Sequence, residues 1–442
     1  MDWPTRPLKE LCRIEKGAIG ITKAKPGPYP LVTLAEERKE HNDYQFDTKA
    51  VIIPLVSSTG HGHASIKRIH YQEGKFTVGT ILCAVVPNNE SELHPLFLYH
   101  YLDVFKEQLL VPLMRGMANV TLPMRSLGDL EIPVPPIDDQ LVWIEKFKSV
   151  NHKETKLLNE LSHQQTLLKQ LRQAILQEAV QGKLTEQWRS AHPEVEPASA
   201  LLERIQAEKA QLVKEKKIKK SRPLSPITPD EIPFDLPEGW VWCRLGAAAF
   251  NVEYGTSQKA SLDSKGVPVL RMGNLLNGNI VYDNLKYVQS TIKDLPRLYL
   301  NKGDLLFNRT NSYELVGKSG VFTLDKSLTF ASYLIRVTFE GKIVSEYVNA
   351  WINSLVCRET QLEPGIIQQN GQANFNGTKL KNILLPLPSL SEQKAIVEKV
   401  ESLLAKVSQL EAEVQQNRQY AEQLLQSVLR EVMNPAAKET TA

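Results

Sequence analysis

The chain has 442 residues, 42% of them hydrophobic, with 53 Lys plus Arg against 50 Asp plus Glu. That length suggests roughly three domains with sizeable cores, and the charge balance leans only slightly toward polyanionic partners. The scattered Cys12, Cys83, Cys243 and Cys357, a start (MDWPTRPLKEL) without an apolar signal region, and the lack of any membrane-length apolar run exclude a disulfide scaffold and a membrane-spanning protein, and a soluble cytoplasmic chain with reduced thiols is expected.

Residues 1–132 read as a first globular block. Short apolar runs broken by turn residues, Tyr29–Leu34, Ala50–Ser58 and Phe76–Val86, predict strands, and Leu93–Leu110 predicts a helix. Residues 133–186 carry a long helix closed by Gly182 as a left-handed cap. A linker with a short helix, Ala198–Lys217, occupies 187–233. Its KEKKIKK run reads either as a solvated basic helix end or as a phosphate contact. A second block, 234–384, repeats the pattern with strand runs Val267–Leu275, Gly303–Thr310, Ser319–Leu324 and Phe330–Phe339 and a helix Glu346–Val356. Residues 385–434 form a second long helix, and 435–442 a tail.

The long helices are one stretch written twice. Pro133, Pro135, Gln140, Glu145, Lys146, Leu157, Glu160, Leu171 and Leu176 meet Pro386, Pro388, Gln393, Glu398, Lys399, Leu410, Glu413, Leu424 and Leu429 without a gap. Asp138 or Asp139, and Ser391, are candidate N-caps. Apolar positions Val150, Leu157, Leu161, Leu168, Leu171 and Ile175 in one copy, and Leu403, Val407, Leu410, Val414, Ala421, Leu424 and Val428 in the other, predict a coiled-coil seam. Some forty helical residues span roughly 60 Å, so the two stripes most simply bury each other as an antiparallel pair. Gln164 and Asn417 then meet at the midpoint, as a buried amide pair that sets register or as solvated residues on a frayed seam. The blocks echo each other too: GMANV at Gly116–Val120 matches GQANF at Gly371–Phe375. The fold class is α+β: two strand-rich globular domains separated by two long helices in an antiparallel coiled coil, with pseudo-two-fold symmetry.

Catalytic signatures do not survive inspection. SYELVGKSG (Ser312–Gly320) ends like a phosphate-binding loop but has Ser312 where the first glycine must stand, so Gly317-Lys318-Ser319 reads as a strand turn. His61 and His63 have no third ligand nearby. What the blocks offer is loops of DNA-contact chemistry, where Asn and Gln suit adenine, Arg suits guanine, and Lys, Ser and Thr suit phosphates. In the first block the candidates are Lys23 and Lys25; Thr59, His61, His63, Lys67 and Arg68; Arg115 and Asn119. In the second they are Ser257, Gln258 and Lys259; Arg271 and Asn274; Asn308, Arg309, Asn311 and Lys318; Gln369, Asn370 and Asn374. Such loops are also ordinary surface loops.

The phrases PLPSLSEQKAIVEKVESLL, PVPPIDDQLVWIEKF, LRQAILQEAVQGKLTEQWR and LPEGWVWCRLG, on a plan of two blocks and two helices, resemble the specificity (S) subunit of type I restriction-modification systems over nearly the whole chain. Asp139-Gln140 departs mildly from the family's usual Glu-Gln. The resemblance implies a non-catalytic subunit whose two target recognition domains each read half of a bipartite site in double-stranded DNA. It implies helices that act as spacer and dock two methyltransferase (M) subunits, with two restriction (R) subunits joining for cleavage. It implies no cofactor in this chain, with S-adenosylmethionine, ATP and Mg expected in the partner subunits. A cytosolic scaffold with two protein-binding heads is the rival reading.

Overall fold

The computed structural model describes residues 3–59, 63–117, 119–220, 222–369 and 371–433. They divide into two compact units: residues up to 163 together with those from 414 onward, and residues 164–413. The division cuts both long helices, Ile137–Val180 and Leu390–Met433, each of 44 residues.

The globular part of the first unit, head one, holds two four-stranded sheets. One runs Cys12–Lys16, Leu82–Pro87, Ala50–Pro54, His70–Gln72, antiparallel throughout. The other places Tyr29–Val32 between Lys39–His41 (antiparallel) and Lys75–Val78 (parallel), with Phe46–Asp47 on the far side. The central strands are near-continuous apolar runs with both faces covered, which is why Ala50–Pro54 and Leu82–Pro87 are buried at every residue. The expected strand Phe76–Val86 is two strands, because Gly79-Thr80 turns the chain between sheets. The helix Pro95–Leu109 covers the first sheet, and Phe97 stacks edge-on against Trp143 of the long helix at 5.3 Å.

Head two, in the second unit, repeats this topology. Its four-stranded sheet runs Asn251–Tyr254, Leu334–Thr338, Leu305–Asn308, Ser319–Val321. Val267–Leu270 again sits between an antiparallel strand, Lys286–Val288, and a parallel one, Thr329–Phe330. The covering helix is Ser345–Asn353. Each head is closed by a short antiparallel pair next to the long helix: Thr5–Pro7 with Glu131–Pro133, and Val241–Arg244 with Leu384–Leu387. The duplication expected from the helices therefore extends through both heads, although their residues have diverged.

The joint between head and helix is built the same way twice. The repeated glutamine is fully buried in both copies. Gln140 accepts the N–H of His94 at 2.8 Å and donates to Glu92 O and Pro135 O. Gln393 accepts the N–H of Val344 at 2.9 Å and donates to Pro388 O. His94 and Val344 are the residues that open the covering helices, so one side chain satisfies an orphan helix donor and locks two elements. Trp3 meets Phe97 edge-on at 6.4 Å, and Trp240 meets Tyr347 at 6.3 Å.

The neighbouring acid differs. Glu392 is buried and accepts from Thr185 Oγ1 (2.8 Å), Arg189 Nη1 (2.6 Å) and Trp240 Nε1 (2.8 Å). That explains why the phrases LTEQWR and GWVWC occur in this chain: they supply the donors for one carboxylate. Asp139, its counterpart, is exposed. Gly182 adopts φ +73, and Lys183 donates back to Glu178 O at 2.9 Å, so the first long helix ends as the glycine predicts.

Several expectations about the helices are corrected. The cap of the second is Ser389, whose Oγ accepts the Glu392 N–H at 3.1 Å, and not Ser391. Asp138 and Asp139 lie inside the first turn, where the helix dipole favours their charge. The seam keeps the residues seven apart (Leu161, Leu168 and Ile175; Val400, Val407, Val414 and Ala421), all buried. After Leu168, Val407 and Val414 it takes the residue four further on, not three. Arg172, Glu411 and Arg418 are half-buried there, while Leu157, Leu171, Leu410 and Leu424 are exposed. In the second unit Arg172 Nη2 reaches Glu411 (2.9 Å) and Ser408 (3.1 Å), and Arg189 reaches back to Glu392, so the segments run antiparallel. An arginine serves because its stem packs while its head finds a carboxylate. Gln164 is half-buried and Asn417 is exposed.

Candidate nucleic-acid interface

In head two, three loops converge. Tyr254 ends its strand, takes the N–H of Gly377 on its hydroxyl at 2.8 Å, and carries the Arg309 guanidinium 5.1 Å above its ring. Ser332 ties the next pieces together: its N–H reaches Thr256 O at 2.8 Å and its carbonyl accepts Arg309 Nη1 at 3.3 Å. Thr310–Asn311 pairs with Gln372–Asn374, which pairs with Ile367–Gln369, giving a three-stranded ribbon whose outer strand is exposed throughout. Thr310 Oγ1 donates to Asn374 at 2.8 Å.

Head one carries the same ribbon in reduced form. Val56 bridges Thr121, and Thr121 bridges Arg115 with reciprocal N–H···O bonds of 2.8 Å. Met114, Val120 and Leu122 anchor this hairpin in the core. At its tip Met117 is 93% exposed, the most exposed large apolar side chain among the described residues. Leaving it in water forgoes about 1.5–3 kcal/mol of burial. Beside it Ser58 N–H reaches Ser65 O at 2.9 Å, and Lys67 N–H reaches Ser58 Oγ at 2.8 Å.

The structure therefore gathers Ser257, Gln258, Arg309, Asn311, Gln369 and Asn374 in head two, and Thr59, His63, Lys67, Arg115 and Asn119 in head one, around equivalent ribbons. Lys259 is exposed on the Gln258 loop. Lys23 and Lys25 sit on a separate loop, held where the Lys25 N–H meets His41 Nδ1 at 3.2 Å. Arg68 is paired with Glu36 at 2.7 Å. Arg271 donates to Asn284 O, and Lys318 is half-buried, its ammonium held below the usual lysine range by burial and by Arg358. Two candidates are corrected. Asn274 is buried and spent on the Arg271 N–H and the Val281 and Asp283 carbonyls. Asn308 is fully buried in the central sheet. Asn308 ends the buried strand Leu305–Asn308, and Asn274 closes the short turn Met272–Asn274 with its side chain turned onto backbone groups. His61 and Asn370 lie outside the described residues. Gly317-Lys318-Ser319 is the expected turn, with Gly317 N–H on Asn308 O leading into the strand Ser319–Val321.

Chemically, each ribbon presents amides, an arginine and hydroxyls on a narrow β-structure, a shape the DNA major groove admits and a donor–acceptor set that can read base edges. Among the described residues there is no cluster of three or more potential metal ligands, and no helix is long and apolar enough to cross a membrane. A family model described as the type I restriction modification DNA specificity domain matches residues 1–175 and 237–417.

The chain belongs to that family. It is 35% identical over 251 residues to the EcoAI specificity subunit of Escherichia coli, covering 54% of this chain and 40% of that protein. It is 33% identical over 258 residues to the EcoEI specificity subunit of the same organism, covering 56% and 42%. The matched part is thus less than half the length of these two relatives. Two solved structures share the fold over nearly the whole chain. One comes from work on complex assembly and conformational transition of the type I R-M system (TM-score 0.67, 16% identity, 98% of each chain). The other is the HsdS subunit of Thermoanaerobacter tengcongensis (TM-score 0.50, 16% identity, 97% of this chain and 96% of that one).

For a member of the specificity family, the two matched regions coincide with the two heads and most of their helices. The sequence reading of the interface missed Tyr254, Thr310 and Gln372, which shape the ribbon of head two, and Met117 at the tip in head one. The GMANV/GQANF match was a signal for the ribbons. The pairing of Thr310 with Asn374 joins segments far apart in the chain and left no local trace.

Proposed function

We propose that this chain is the DNA-reading subunit of a type I restriction-modification complex, with each head reading one half of a bipartite target in double-stranded DNA. The observation that carries the reading is the duplicated joint: Gln140 and Gln393 fix equivalent heads to equivalent helices, so two different ribbons ride on one repeated frame. Heads that differ on a shared spacer suit two different half-sites at a set distance, and a spacer of about 60 Å is long enough to serve neighbouring turns of a duplex, about 34 Å per turn.

The outward leucines support partner docking. Leu157 and Leu171 in one helix, and Leu410 and Leu424 in the other, occupy equivalent repeat positions and are exposed. A second apolar stripe on a helix already buried on its first is what a partner helix needs. Two copies of one stripe suit two copies of one partner, the M subunit. Two R subunits complete the cleaving form, and S-adenosylmethionine, ATP and Mg belong to these partners in the cytoplasm.

The test is adenine-methylation sequencing of DNA from cells that express this chain with its methyltransferase partner. One bipartite motif with a fixed gap is expected. Absence of any motif, with a methyltransferase active beside another specificity subunit, overturns the reading.

A further inference from the structure

Met117 has no role in the readings above, and its setting is unusual. The hairpin that carries it is pinned at its base by the two Arg115–Thr121 bonds and by the Val56 bridge. Gly116 holds φ +121, and a Cβ there would lie 2.3 Å from Asn119 O, so this position admits no other residue without strain. The core is already served by Met114, Val120 and Leu122. The pinned hairpin thus carries one long apolar side chain exposed to water, with Arg115 and Asn119 exposed near it. At the matching position of GQANF head two has the polar Gln372.

We propose that Met117 is a wedge that enters a base step of the first half-site, so that head one recognises its DNA partly by deformability while head two reads through amides. Apolar side chains on narrow protrusions unstack and kink duplex DNA, and easily unstacked steps then become specificity determinants. Arg115 stands one residue before the Gly116 turn to meet the phosphate of the opened step, and Asn119 to reach a base edge. This inference rests on the reading of the chain as a DNA specificity subunit.

The experiment uses the full chain assembled with its methyltransferase, on a duplex carrying the motif that methylation sequencing of the wild type identifies. Binding is measured for wild type, Met117→Ala and Met117→Leu on the intact duplex and on duplexes with a single mismatch walked through the first half-site. Met117→Ala should bind the intact duplex at least tenfold more weakly and recover to within about threefold where a mismatch pre-opens the wedge step. Met117→Leu should stay near wild type, and all three should melt alike, because the side chain supports no core contact. Wild-type affinity of Met117→Ala, or a loss equal on every duplex, overturns the wedge. A wild type that yields no motif overturns the underlying reading instead.

Discussion

The side-chain oxygen of Gln140 accepts the N–H of His94 at 2.8 Å, and at the equivalent repeat position the oxygen of Gln393 accepts the N–H of Val344 at 2.9 Å. Both glutamines have no exposed surface. Gln140→Met and Gln393→Met keep the volume but leave a buried helix-opening donor unpaired. Each should cost about 1–3 kcal/mol, read as a lower urea midpoint of the full chain. An unchanged midpoint in both would remove the joint as the element that fixes head to helix.

Glu392 is a three-donor acceptor in the second unit. Glu392→Ala leaves Arg189 and Trp240 Nε1 without their partner, and loss of one side of a buried ion pair costs about 3–5 kcal/mol. Asp139→Ala, at the matching but exposed position, should shift the transition by less than about 0.5 kcal/mol. Equal effects of the two variants in thermal melts would contradict the asymmetry.

Burial pushes His70 and His100 down to about 4, with Arg38 adding to the effect at His70 and Lys148 at His100. In the unfolded chain both take up protons near 6.5, while the folded chain resists protonation until about 4. The stability they contribute is therefore complete above about 6.5 and is lost as pH falls from there toward 4, at about 1.4 kcal/mol per pH unit for each group at most. His100 stacks on Phe147 at 3.9 Å between ring centroids. His100→Phe should shallow the fall of the urea midpoint between pH 7 and 5. Parallel curves for variant and wild type would show that His100 does not carry it.

The carboxyl of Glu154 is raised above the ordinary carboxylate range by burial and then by Glu422. The folded chain binds that proton more tightly than the unfolded one, so Glu154 favours the fold at low pH and opposes it as pH rises through the raised value. Glu154→Gln should raise the melting temperature at pH 7 by an amount equivalent to less than about 1 kcal/mol and give no gain below the carboxylate range. A lower melting temperature at pH 7 would refute the repulsion.

Leu171→Glu and Leu424→Glu place charge on the exposed stripe and spare the buried seam. Each should leave the melt within about 0.5 kcal/mol of wild type, while co-purification of the methyltransferase falls in each and disappears in the double variant. Undiminished capture by the double variant would locate the docking surface elsewhere.

Sequence alone determined the duplication, the long helices and their glycine end, the α+β class and the family, because periodicity, proline and glycine act over a few residues and the helices repeat almost word for word. It also marked Gly116–Val120 and Gly371–Phe375 as corresponding segments, through GMANV and GQANF. Tertiary structure decided which helix face is buried. The choice between Leu171 and Arg172 turns on whether an arginine finds a carboxylate across the seam, and Glu411 lies far along the chain. It likewise decided that Asn274 and Asn308 are internal while Arg309, next to Asn308, rides on the Tyr254 ring beside the ribbon. A one-residue step along a strand reverses the direction of a side chain, and only the packed sheet determines which side becomes the surface.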